Sequence, residues 1–378
     1  MPFDFGALRR TPDVEGPGLE ASDAADRLIL DEAAALIATA GPGEVVVVDD
    51  AYGALALAAA AAGARGIRVH QDLVTGERAL AQNAARLGLA DAVTAAPLAP
   101  ELVADARLVL LRLPRALDRL DEVAELVAAH AHPEVVVVAG GRIKHMSLAM
   151  NEVLRRRFAR LDVSHARQKS RVLIAREPGG TSSTASTGAD WPRRAHHAEL
   201  SLTVVAHGGV FAGTGVDIGT RFLLDQLADA VPDAATAVDL ACGSGVVAAW
   251  LARARPALEV TATDRSAAAA ASARLTAEAN GVADRVHVTR ADGLEGLADA
   301  SERLIVLNPP FHSDAAISTG IAAHLFADAA RVLAPGGELW CVWNSHLRYR
   351  PVLERVVGPT GQIARNAKFT VTASRRAA

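Results

Sequence analysis

Short unbroken apolar runs recur along this chain, each followed by a longer Ala/Leu-rich stretch. Glu44-Val45-Val46-Val47-Val48, Gly66-Ile67-Arg68-Val69-His70, Leu108 to Leu113 and Glu134 to Ala139 read as strands, the last ending in Gly140-Gly141. They lack polar alternation, which suits parallel strands covered on both faces. Ala24 to Ala40, the stretch after Gly53, Gly76 to Leu87 and Ala116 to Ala129 read as helices. Asp23 can cap the first of these, and Gly41-Pro42-Gly43 stops it. Residues 1–22, rich in Pro, Gly and acid, predict an irregular arm. Alternating strand and helix predict a doubly wound α/β sheet.

The second half runs the same series. Leu200 to Ala206, Thr236 to Leu240, Glu259 to Thr263, Val286 to Thr289, Arg303 to Leu307, Glu338 to Trp343 and Ala367 to Ala373 read as strands. Thr220 to Ala230, the stretch ending near Arg255, the Ala-rich stretch to Asn280 and Ile321 to Leu333 read as helices. Pro178 to Ala189 is polar and low in complexity, as a linker would be. The expected organisation is therefore a first domain over 1–177, a linker over 178–199 and a second domain over 200–378. Laid on each other, Asp49 falls on Asp239, Gly53 on Gly243, Leu55 on Gly245, Asp72 near Asp264 and Leu113-Pro114 on Asn308-Pro309, at offsets of 190 to 195. Two copies of one fold are expected, the first having lost a glycine to Leu55 and an amide to Leu113.

A length of 378 residues suits two domains, each with its own core. A net charge of -4 excludes a uniformly basic nucleic-acid binder. One stretch departs from it. Residues 142–176 hold Arg142, Lys144, Arg155, Arg156, Arg157, Arg160, Arg167, Lys169, Arg171 and Arg176 against only Glu152 and Asp162. That stretch is either a solvated face or a phosphate-contacting surface. Cys242 and Cys341 make neither a disulfide framework nor a zinc spacing, and no metal is expected. A reduced, cytoplasmic setting is expected, with no signal core in Met1 to Arg10 and no apolar run of about 18 residues. A monomer is the expectation for oligomeric state, and no membrane partner is expected.

The candidate chemistry sits in the second half. Asp239-x-x-x-Gly243-x-Gly245, at a strand-to-helix turn, is a nucleotide-binding loop in which glycines allow a tight turn and close backbone approach. Asp264, at the end of the next strand, suits a ribose diol. Asp292-Gly293 ends the third strand, where an adenine could be bracketed. Asn308-Pro309-Pro310-Phe311-His312 then leaves the fourth strand as a stiff loop, with Asn308 held from helical geometry by the following proline.

This ordered set resembles the class I S-adenosylmethionine-dependent methyltransferases, and Asn-Pro-Pro-aromatic is similar to the motif of those acting on a planar or exocyclic nitrogen. With Gly209-Val210-Phe211 and Asp217-Ile218-Gly219-Thr220-Arg221-Phe222-Leu223-Leu224, the chain looks like the bacterial ribosomal RNA guanine-N2 methyltransferases. Asp50 to Leu55, Leu110 to Leu117, Lys169 to Ile174 and Asn366 to Phe369 look more like the large-subunit than the small-subunit enzyme. The resemblance covers nearly the whole chain. It implies two tandem Rossmann-like methyltransferase domains, the first degenerate, with S-adenosylmethionine as cofactor and ribosomal RNA or a ribosomal subunit as partner.

The residues that follow from it are Asn308, Pro309, Pro310 and Phe311 for chemistry, and Phe211, Asp217, Asp239, Gly243, Gly245, Asp264 and Asp292 for the cofactor. Asp217 could instead simply cap the helix that follows it. Arg142, Lys144, Arg155, Arg156, Arg157, Lys169, Arg171 and Lys368 are candidates for RNA contact. His312 lines the pocket or holds the loop. The same amide geometry would serve adenine N6 or a protein glutamine. A non-catalytic RNA-binding assembly factor is the rival from another class.

Overall fold

The computed structural model describes residues 3–16, 18–179, 190–310 and 315–377, with the backbone alone at 315–319. Phe311 and His312 lie outside the described residues. The chain divides into two compact units, Met1–Trp191 and Pro192–Ala378.

The first unit runs α1 (Ala24–Thr39), β1 (Val45–Val48), α2 (Ala54–Ala61), β2 (Ile67–His70), α3 (Val74–Arg86), β3 (Val93–Ala95), α4 (Pro100–Val103), β4 (Leu108–Arg112), α5 (Leu117–His130), β5 (Val136–Arg142), α6 (Leu148–Arg157), β6 (Phe158–Val163) and β7 (Ser170–Pro178). Asp23 and Asp26 form a capping box at the start of α1: Ala25 N donates to Asp23 and Asp23 N donates to Asp26, each at 2.7 Å. The strands form one seven-stranded sheet in the order β3-β2-β1-β4-β5-β7-β6. β3, β2, β1, β4 and β5 are parallel, and β7 and β6 are antiparallel additions. Apolar clusters cover both faces, which is why the strand runs show no alternation.

Two features depart from the sequence reading. β5 runs through Gly140 and Gly141 to Arg142 instead of stopping there. A Cβ on Gly140 would lie 2.4 Å from Ile29 Cγ1, so the glycine lets α1 pack closely on the strand. The basic stretch from 142 to 176 contains α6, β6 and most of β7, elements its charge pattern did not announce.

The second unit runs β8 (Arg193–His197), β9 (Leu202–Ala206), α7 (Ile218–Leu227), β10 (Thr236–Leu240), α8 (Val246–Ala254), β11 (Glu259–Asp264), α9 (Ala267–Ala279), β12 (Val286–Arg290), β13 (Glu302–Leu307), α10 (Ala315–Val332), β14 (Leu333–Asn344), α11 (Arg350–Val356), β15 (Thr360–Arg365) and β16 (Phe369–Arg375). Its main sheet has the order β12-β11-β10-β13-β14-β16-β15, the same sequence of roles as in the first unit. β8 pairs with β9 as a separate hairpin, so 193–197 is strand where linker was expected.

One edge of β9 is satisfied by a helix. Thr203 N, Val205 N and His207 N donate to Asn280 Oδ1, Thr276 Oγ1 and Ser272 Oγ at 2.9, 3.0 and 2.9 Å. Alternate strand residues rise about 6.7 Å and residues four apart on a helix rise about 6 Å, so the two polar series stay in step. This docking delivers the Gly209-Val210-Phe211 turn to the start of α9, where Val210 packs on Ala268 and Ala269.

The duplication extends to single residues. Val48 pairs with His70 and Leu111, and Leu240 pairs with Thr263 and Leu307. Each is followed by a residue with φ +58°, Asp49 in one copy and Ala241 in the other. Gly53 and Gly245 then stand in the left-handed region immediately before α2 and α8. These matches correct the register read from the sequence. Gly53 corresponds to Gly245, so the position of Gly243 is taken by Ala51. The residue after Leu307 is Asn308 and the residue after Leu111 is Arg112, so Arg112, not Leu113, stands in place of the amide. Aligning on an acid and a proline had shifted the two loops by two residues and by one.

Candidate active site

The cofactor loop is built from the end of β10 to the start of α8. Asp239 is buried beneath it, and its Oδ2 accepts from Ala248 N at 2.9 Å. Burial pushes this carboxyl up to about 7, and the charge of Asp264 pushes the same way. It braces the loop from below. Gly243 has φ +55°, and a Cβ there would meet nothing within 4 Å, so its face opens on empty space. Gly245 has φ +76°, and a Cβ would lie 2.8 Å from Ala273 Cα. The two glycines therefore do different work. Gly243 leaves space where a ligand would lie, and Gly245 lets α8 and α9 approach.

Asp264, the last residue of β11, ties the loop to the next helix. Its Oδ2 accepts from Gly243 N at 3.0 Å and its Oδ1 from Ser266 N at 2.9 Å. A carboxylate offers about four acceptor positions, so these bonds are compatible with a bound diol. Asp292, just past β12, lies 3.7 Å from His324 Nε2 on α10. The Asp292 carboxylate beside it pushes the His324 imidazole pKa above its usual range, and the charge of Asp328 adds to it. Asp328 accepts from Leu294 N at 2.7 Å and fixes the turn after Asp292-Gly293. His324 and Asp328 escaped the sequence reading, although their spacing of four on a helix is a legible pair. The Cys242 thiol is pushed well up by burial and by Asp239 and Asp264, which disfavours the thiolate.

Asn308 follows β13, on the strand next to the cofactor loop. Its Nδ2 donates to Thr220 Oγ1 at 3.0 Å and to Asp217 Oδ2 at 3.4 Å. Asp217 is the N-cap of α7 and also accepts from Gly219 N and Thr220 N. Asp217 thus caps the helix and touches the amide as well. Phe369 packs against Gly219, where a Cβ would meet its ring at 3.0 Å, and Lys368 Nζ lies 5.1 Å from the centre of that ring. Phe211 is 49% exposed on the turn beside α9. The structure therefore gathers Asp239, Gly243, Gly245 and Asp264 around one loop. Asn308 and Asp217 meet at the next strand, and Asp292 stands at the end of β12.

The expected RNA contacts divide. Arg155 pairs with Glu152 at 2.8 Å and Arg156 with Asp121 at 3.0 Å. Arg157 pairs with Glu125 and Asp190 at 2.7 and 2.6 Å. Arg142, Lys144, Lys169 and Arg171 have no ion-pair partner among the described residues. They cluster where β5 ends and β7 begins, with Arg142 opposite Ser170 and Gly141 opposite Arg171. Lys169 and Lys368 are counterparts: their carbonyls accept from Ile143 N and Ser345 N at 2.9 and 2.8 Å.

A doubly wound sheet with a left-handed glycine turn after its first strand, an acid after its second and an Asn-Pro-Pro loop after its fourth defines a class I methyltransferase domain. This chain carries two such folds, one with that set intact. Residues 201–373 match the methyltransferase small domain and residues 2–179 match the RLMG N-terminal domain. A Pseudomonas aeruginosa protein named ribosomal RNA large subunit methyltransferase G is 36% identical over 374 residues, 98% of this chain and 97% of its own length. A Streptomyces avermitilis protein of the same name is 34% identical over 384 residues, with 98% and 97% covered. The chain belongs to the ribosomal RNA large subunit methyltransferase G family. The solved structure of the T. thermophilus 16S rRNA N2 G1207 methyltransferase, in complex with AdoMet and guanosine, has the same fold. Its TM-score is 0.74 at 22% identity, covering 96% of this chain and 97% of that one.

Proposed function

We propose that this chain transfers a methyl group from S-adenosylmethionine to the exocyclic N2 of a guanine in ribosomal RNA, that of the large subunit. The observation that carries the reading is the orientation of Asn308. Asp217 Oδ2 can only accept, so Nδ2 is the end of the amide that faces Asp217 and Thr220, and Oδ1 is the end left to an incoming group. An amino group conjugated to a purine is a poor nucleophile, because its lone pair is delocalised into the ring. Asn308 Oδ1 and the Pro309 carbonyl accept its two hydrogens and let the nitrogen pyramidalise. S-adenosylmethionine supplies a methyl already activated on a sulfonium. The N–C bond forms as the S–C bond breaks, and one amino proton leaves to solvent. Positioning supplies most of the acceleration, so no strong general base is required.

Gly243, with its open face, and Asp264 hold the cofactor, with Asp292 at the base end and Phe211 over the loop. Asp239 and Gly245 serve by shaping the loop. The cations assigned to RNA phosphate are Arg142, Lys144, Lys169, Arg171 and Lys368. Arg155, Arg156 and Arg157 are left to their acidic partners. Among the described residues no helix is long and apolar enough to cross a membrane.

The test is product analysis. The full-length protein is incubated with large-subunit ribosomal RNA, as naked RNA and as assembled subunit, and isotopically labelled S-adenosylmethionine. The RNA is then digested to nucleosides. Label in N2-methylguanosine is expected. Label in N6-methyladenosine, or none in either substrate, overturns the assignment.

A further inference from the structure

Resting on the reaction proposed above, we infer that Thr220 is a positioning residue whose hydroxyl, accepting from Nδ2 beside the acceptor-only Asp217, holds the Asn308 amide so that Oδ1 meets the acceptor's amino group. An asparagine amide turned over by 180° presents an NH2 where an oxygen is needed, and two amino groups facing each other cannot hydrogen-bond. Something must choose between the two orientations. Asp217 Oδ2 can only accept and so selects Nδ2, but it is poorly placed to hold the amide alone. It already accepts from Gly219 N and Thr220 N, and it reaches Asn308 Nδ2 only at 3.4 Å. Thr220 Oγ1 takes the shorter bond at 3.0 Å. Thr220 is buried, and its branched β-carbon restricts χ1, so the hydroxyl is held in place.

The first copy supports this assignment independently. Arg112 occupies the position of Asn308, and its guanidinium is held by Asp23 and Asp26. These are the N-cap and third residues of α1, as Asp217 and Thr220 are of α7. Both copies thus tie the side chain leaving the fourth strand to the same two positions of the preceding helix. A carboxylate stands at the third position where the strapped group is a guanidinium. A neutral hydroxyl stands there where it is an amide. The latch belongs to the fold, and the residue at its third position is matched to the group it orients.

The experiment is a double-mutant cycle between positions 220 and 308 in the full-length protein. It is read as N2-methylguanosine formed per minute, with cofactor affinity by calorimetry and a thermal melt on every variant. Thr220→Val is expected to lower kcat roughly 10- to 100-fold. KM for RNA and Kd for S-adenosylmethionine stay within about twofold. Thr220→Ser is expected to return kcat to within about threefold of wild type. In an Asn308→Ala background, Thr220→Val is expected to cost nothing further. A Thr220→Val enzyme at the wild-type rate overturns the inference. So does Thr220→Ser no better than Thr220→Val, or an equal loss in the Asn308→Ala background. A wild-type protein that makes no N2-methylguanosine overturns instead the reaction itself.

Discussion

The two halves of this chain have one topology and nearly one set of backbone devices, and they differ where chemistry would occur. In the second copy, Asp264 reaches from the end of β11 to Gly243 N, joining loop and strand through a carboxylate that suits a ribose. In the first, Gln71 follows β2 and its Nε2 donates to the Asp50 and Ala51 carbonyls. An amide side chain now spans the loop from the same side. Ala51 stands where Gly243 leaves open space. At the fourth strand, Arg112 locked between Asp23 and Asp26 replaces an amide oriented by Thr220 and Asp217. A guanidinium has no acceptor atom, so it cannot take hydrogens from an amino group. The fold is kept where the reacting set is absent. The same positions hold groups that satisfy one another.

The largest effect that separates the copies is expected at the fourth strand. Asn308→Ala should lower methyl transfer by about a thousandfold while calorimetry finds cofactor affinity unchanged. Arg112→Ala should leave the chemical step intact but destabilise the first unit by about 2–4 kcal/mol, because Asp26 is left buried without its cation. Chemical denaturation and single-turnover kinetics on the same two variants measure this exchange. A loss of stability in Asn308→Ala with the rate retained would erase the contrast.

Next come the glycines. Gly243→Leu places a side chain in the open face of the loop and should weaken S-adenosylmethionine binding by about a hundredfold or more, which calorimetry reads. Gly245→Ala forces a Cβ onto the Ala273 backbone and should show first as a lower melting temperature.

A pH effect should follow from the first copy. Asp50 is buried, accepts from Leu55 N and Ala56 N, and is pushed up to about 6 by burial, with Asp26 adding to it. The folded state therefore holds this proton more tightly than the unfolded chain. The contribution of Asp50 is most favourable below pH ~4 and declines as pH rises to ~6. Across that window, wild type should lose roughly 1–3 kcal/mol relative to Asp50→Asn. Parallel pH profiles of the two proteins contradict this.

The smallest effect concerns RNA. Lys169→Ala with Arg171→Ala should lower the magnitude of the log-affinity against log-salt slope by about 1–2. Replacing Arg155 and Arg156 should leave the slope nearly unchanged, since those cations already face Glu152 and Asp121.

Much of this was legible in the chain. The strand runs are apolar because both sheet faces are covered, and the Asn-Pro-Pro loop declares itself by its stiffness. Asp264 and Gly243 could be placed because each sits at a strand end. Other parts were not. α6, β6 and β7 hid inside a basic stretch, since their outward arginines pair with acids far away in sequence, such as Arg156 with Asp121. β15 and α11 carry too few buried positions to show a period. The register of the duplication slipped because Asp49 resembles Asp239 and Leu113-Pro114 resembles Asn308-Pro309. Only the pairing of Val48 with Leu111 and of Leu240 with Leu307 reveals that Arg112 is the true counterpart. Thr220 was visible only as part of a motif, because its partner Asn308 lies 88 residues away.

The most direct test of the central claim is mass mapping of large-subunit ribosomal RNA from a strain lacking this gene, complemented in turn with wild type and with Asn308→Ala. One guanine methyl group should be missing in the deletion, restored by wild type and absent with Asn308→Ala. An unaltered guanine methylation pattern in the deletion, or full restoration by Asn308→Ala, would contradict the account.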